Sequence, residues 1–80
     1  MTDLHEHWSK VRTQLLGAMT EIGAALPPKV TTSVTEWLEN NELELALRAI
    51  QEGAEEHDVQ VSSKAMHHLK QAAYLMRLDL

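Results

Sequence analysis

Between Leu4 and Ala25 the apolar residues fall at intervals of four, three, four, three, four and three: Leu4, Trp8, Val11, Leu15, Ala18, Ile22 and Ala25. That rhythm follows the helical turn, so a helix from residue 3 to about 25 is expected to bury one face against other helices. Leu16, Met19 and Leu26 widen the stripe. Such a helix spans roughly 35 Å. It is long for a chain of 80 residues, and it is read as the backbone on which the rest is arranged. Asp3 followed by Glu6 resembles a capping box, with Thr2 as the alternative cap. Gly17 is expected to admit a close neighbour, and Gly23 to mark where the helix frays.

Leu26-Pro27-Pro28 ends this helix, because a residue before proline is driven out of the helical region. Pro28 suits the first position of a second helix, Pro28 to Glu39, burying Val30, Val34, Trp37 and Leu38. The β-branched run VTTSVT also alternates like a strand, but its only possible partner is Val59-Gln60-Val61. A lone ribbon of that size is marginal, so the helix is preferred. Asn40 is expected to close the second helix in the left-handed conformation, and Asn41 to cap a third. The third runs from Glu42 to about His57 and buries Leu43, Ala46, Leu47, Ile50 and Ala54, with Leu45 and Ala49 at its flank. The short turn makes helices two and three an antiparallel hairpin. After a connector in which Val59 and Val61 tuck inward, Ser62 caps a fourth helix, Ser63 to about Arg77. It buries Ala65, Met66, Leu69, Ala72, Ala73 and Met76, and Arg77 suits its negative end. The expected fold is all-α: a small four-helix bundle with a long first helix and a helical hairpin, forming one domain over residues 1–80.

Charge is unevenly placed. Residues 36–58 carry eight acids (Glu36, Glu39, Glu42, Glu44, Glu52, Glu55, Glu56 and Asp58) and one base, Arg48. The other 57 residues hold four acids and six bases, so the net charge of −5 comes from one segment. Net negative charge disfavours nucleic-acid phosphates and anionic membranes as ligands, since both are bound through Lys and Arg. A basic protein partner fits, and so does a carboxylate face kept only for solubility. Those eight acids are the candidate partner-binding residues. There is no cysteine, which excludes disulfides and thiolate metal sites. No apolar run approaches the ~18 residues of a membrane span, and the N-terminus lacks the signal-peptide pattern. A cytoplasmic location is expected.

No catalytic constellation is legible. His5, His7, His57, His67 and His68 include no pair three or four apart, so no two share a helical face as metal ligands; surface histidines are the favoured reading. Ser9, Ser33, Ser62 and Ser63 lie in helices or at a cap, away from any glycine-flanked elbow. No phosphate-binding glycine loop occurs. The chain is therefore expected to be no enzyme, with no cofactor and no metal. Trp8 and Trp37 both fall on buried stripes and are read as core anchors, with an interface role as the rival reading. Tyr74 lies off its stripe, facing either solvent or a partner.

The run from Val34 to Asp79 resembles the MafI-type immunity proteins of bacterial polymorphic toxin systems. The features that carry the likeness follow in order: Trp37-Leu38-Glu39-Asn40-Asn41-Glu42 closing a helix, Ala46-Leu47 in the next, Glu55 and Glu56 at its end, the connector Asp58-Val59-Gln60-Val61-Ser62, and the closing Met76-Arg77-Leu78-Asp79. The likeness covers a little over half the chain. Leu45 stands where the pattern has glycine, and Lys64 and Lys70 make the last helix more basic than the pattern. The resemblance implies an immunity protein that occludes the toxic C-terminal domain of a secreted effector, often a nuclease, as a monomer or homodimer. The residues alone leave two alternatives: a homodimeric helical adaptor pairing through the first-helix stripe, and an acidic nucleic-acid mimic that occupies a DNA-binding protein.

Overall fold

Pro27-Pro28, Asn40-Asn41 and the connector from His57 to Ser62 divide the described residues into four α-helices. The computed structural model describes residues 4–78, so the expected caps at Thr2 or Asp3 and the terminal Asp79 lie outside the described residues. Helix α1 spans Leu4–Ile22 and tightens into a 3₁₀ turn at Gly23–Ala25, where Gly23 was expected to loosen it. Leu26 turns extended before Pro27, and α2 runs Pro28–Glu39 with Pro28 in its first turn. Helix α3 covers Leu43–Glu56 and α4 covers Ser63–Leu75. The run VTTSVT is helical, and no strand occurs among the described residues.

Helix α1 lies mainly on α4, α2 mainly on α3, and α1 touches α3 to join the two pairs. One continuous apolar cluster fills the junction. Its largest fully buried members are Leu15, Leu47, Ile50, Leu69, Val11 and Val34. Each contributes about 1.5–3 kcal/mol by leaving water. Among the described residues no polar or charged side chain is buried. Val59 and Val61 pack half-buried on this core, as their place in the connector suggested.

Several expectations are corrected. The middle of the α1 stripe, Val11 to Ile22, is buried, but Leu4 is 67% exposed and Ala25 is exposed. With 19 residues against 13 in α4, α1 outruns its chief neighbour. Trp8 and Trp37 are not core anchors: 38% and 37% of their surfaces remain open. Met66 and Leu16 are exposed as well. At the hairpin, Asn40 is an ordinary right-handed terminus (φ −87°) and Asn41 takes the left-handed conformation (φ 58°). The Glu42 amide then donates to the Trp37 carbonyl at 2.8 Å, closing α2 in a Schellman turn. Asn41 therefore caps nothing on α3, whose N-terminal cap is Glu42 without a side-chain bond. Helix α4 ends at Leu75, and Arg77 sits beyond it in the left-handed region (φ 58°). Asp58 does the same after α3, with the Val59 amide donating to the Ala54 carbonyl at 2.8 Å. Ser62 caps α4 as expected, its hydroxyl accepting from the Ala65 amide.

Candidate partner-binding surface

All eight acids of the 36–58 segment are exposed, but the hairpin does not gather them on one face. Glu36 and Glu39 line a shallow depression on the threonine side of α2, with Thr31, Thr32 and Thr35. Glu44 is engaged within its own helix by Arg48 at 3.2 Å. Glu52 and Glu56 flank a groove between α2 and α3, whereas Glu55 faces a second groove between α3 and α4. Glu42 and Asp58 stand at the two ends of α3. Apart from Glu44, none of the eight has an ion-pair partner among the described residues.

Their position has an electrostatic cost. The last turn of α3 carries Glu55 and Glu56 and no base, although a helix C-terminus is the negative end of the macrodipole. Carboxylates one turn apart, such as Glu52 with Glu55 and Glu56, add mild repulsion. The chain therefore holds uncompensated negative charge where its own backbone adds more.

The α2–α3 groove encloses about 390 Å³ and is lined by Lys29, Val30, Ser33, Trp37, Ala49, Glu52, Gly53, Glu56 and His57. Helical spacing creates it. Val30, Ser33 and Trp37 recur at three and four on α2, and Ala49, Gly53 and Glu56 at four and three on α3, so these two flanks face one another, with the small residues Ala49 and Gly53 on the α3 side. A methyl group at Gly53 would come within 2.5 Å of Val30 Cγ1. Glycine is what lets the helices approach here while Ala49 keeps the trough open beside Trp37. Sequence reading missed this site. The signal that could have revealed it was small residues at 49 and 53 facing Val30 across an antiparallel turn.

The α3–α4 groove is more apolar, with Ala54, Val59, Val61, Met66 and Leu69 beside Glu55. A third depression around Trp8 is bordered by His5, Ser9, Arg12 and Asn41. There the Arg12 guanidinium is committed internally, donating to the Leu38 carbonyl at 2.6 Å and the Asn41 side-chain carbonyl at 3.3 Å. It ties α1 to the negative end of α2. Gly17 admits a close neighbour as expected, since a Cβ there would lie 2.8 Å from the His68 ring. His68 Nδ1 in turn donates to Gln14 Oε1 at 2.8 Å. Tyr74 faces solvent at 76% exposure. Among the described residues no three histidines or acids are grouped to hold a metal ion, and no helix is long and apolar enough to cross a membrane. No family model, curated protein or solved structure matches the chain.

Proposed function

We propose that this chain is an immunity protein that binds the toxic C-terminal domain of a bacterial effector, a basic nuclease-like domain, and neutralises it by occlusion inside the producing cell. It performs no chemistry of its own. One observation supports the reading: the acidic segment that resembles the immunity-type pattern forms an exposed helical hairpin in which seven of eight carboxylates have no ion-pair partner among the described residues. Unpaired charge of one sign steers a basic partner and speeds its association. The alternative of an adaptor dimerising through the α1 stripe loses its main support, because Val11, Leu15, Ala18 and Ile22 are already buried within one chain.

The test is co-purification with the C-terminal domain of the protein encoded immediately upstream, together with growth rescue when the two are co-expressed. A stable complex that restores growth is the expected result. An upstream product that is harmless, or that kills despite this protein, overturns the reading. A Glu42→Lys, Glu44→Lys, Glu55→Lys, Glu56→Lys variant is expected to keep its helicity and to bind the toxin domain at least about tenfold more weakly. Full binding by that variant would remove the acids from the account and leave immunity standing.

A further inference from the structure

We infer that the α2–α3 groove receives an amphipathic basic helix of the partner, with apolar residues seated over Trp37, Ala49, Gly53 and Val30 and Lys or Arg side chains reaching Glu52 and Glu56. This rests on the binding reading above and names the docking element within it.

Shape selects a helix. The groove is an open trough between two antiparallel helices, with its floor formed where Val30 packs against Gly53 and one wall raised by the exposed Trp37 indole. An extended segment laid there would find no backbone partners, because the amides and carbonyls of α2 and α3 are consumed within their own helices. A helix brings its backbone already satisfied and can bury a single side-chain row. From Ala49 to Glu56 the trough covers two helical turns, roughly 10 Å. That length matches guest residues at i, i+4 and i+7.

Charge selects the flank. Glu52 and Glu56 rim the trough on the α3 side, near the negative end of that helix, without ion-pair partners among the described residues. The groove's fixed positive charge is Lys29, on the opposite wall. A guest therefore carries its bases on the side facing α3 and neutral or acidic residues on the side facing α2. The Trp8 depression lacks this complementarity, because its arginine already serves Leu38 and Asn41.

The probe is a fluorescently labelled, end-capped helical peptide of about four turns, with leucine at i, i+4, i+7 and i+11 and Lys or Arg along one flank. Its control has the same composition in an order that breaks the spacing. The patterned peptide is expected to bind at least about tenfold more tightly than the control, and Glu52→Lys with Glu56→Lys to weaken it by a similar factor. Ala49→Gln, which fills the trough from an α3 flank, is the second variant, with circular dichroism confirming its fold. Equal binding of both peptides, or binding indifferent to both variants, overturns the proposal. The upstream toxin domain is then added as competitor. If it neither binds nor competes while the peptide pattern holds, the toxin reading falls and the groove stands. If it binds wild type and both variants alike, the groove falls and the toxin reading stands.

Discussion

Trp8 and Trp37 expose nearly equal shares of their surfaces, 38% and 37%, in opposite surroundings. Beside Trp8 the charge belongs to Arg12, which already bonds the end of α2. The groove that Trp37 lines carries Glu52 and Glu56 on its α3 side, which have no ion-pair partner among the described residues, with Lys29 on its α2 side. The helix pairs differ in the same way. Helices α1 and α4 hold two acids and four bases, and the Gln14–His68 bond ties them together. Helices α2 and α3 hold six acids, two bases and one internal ion pair. Exposure alone does not distinguish a scaffold from a recognition surface. On the proposed reading, whether the neighbouring charge is already satisfied does.

The largest effects should ignore this division. Leu15→Ala in α1 and Ile50→Ala in α3 both open the shared core and should each cost about 2–5 kcal/mol. Denaturation of either variant should remain a single transition by circular dichroism. Two separated transitions would mean that the helix pairs fold independently and that the comparison concerns two units.

The glycine contacts come next. Gly53→Ala forces a methyl against Val30, a branched side chain with little rotational freedom. It should destabilise by about 1–3 kcal/mol despite the helical gain of alanine. Gly17→Ala meets the end of the His68 side chain, which can swing aside at the expense of its bond to Gln14, so its net effect should stay below about 1 kcal/mol. In a domain this small each kcal/mol moves the melting temperature by about 4–8 °C, so thermal unfolding ranks the two. The reverse ranking would mean that α1 and α4, rather than the hairpin, meet along the tighter seam.

Asp58→Gly relieves a left-handed residue and should stabilise by about 1 kcal/mol. Glu56→Lys sharpens the comparison most economically, since its two effects have opposite signs. A base in the last turn of α3 should stabilise the free protein by about 0.3–1 kcal/mol while weakening the partner complex. A surface kept for solubility alone would gain the stability and lose no binding. Smallest is Glu44→Ala, which breaks an exposed pair worth about 0.2–0.5 kcal/mol.

How much of this was legible follows from how local each signal is. Pro27-Pro28 and Ser62 act within a turn of themselves, so the starts of α2 and α4 could be read directly. The left-handed residue at the hairpin was placed one position early. Asn40 and Asn41 are chemically identical, and only the geometry of the Glu42–Trp37 bond selects between them. Periodicity assigned Trp8 and Trp37 to stripes but could not say where each stripe runs out of neighbours. For Trp8 that depends on α1 outreaching α4. The acids were legible as a segment. Their division between a threonine face, two grooves and the ends of α3 required the helix rotations. The α2–α3 groove depends on Val30 meeting Gly53 across 23 residues, a contact that no local pattern announces.

The two tryptophans also supply the decisive measurement. In ¹⁵N-labelled protein each indole N–H gives one nuclear magnetic resonance signal, assignable with Trp8→Phe and Trp37→Phe variants. Adding the upstream toxin domain to equivalence should shift or broaden the Trp37 signal and leave that of Trp8 in place. Movement of Trp8 with Trp37 unmoved would put recognition on the opposite surface and contradict the account.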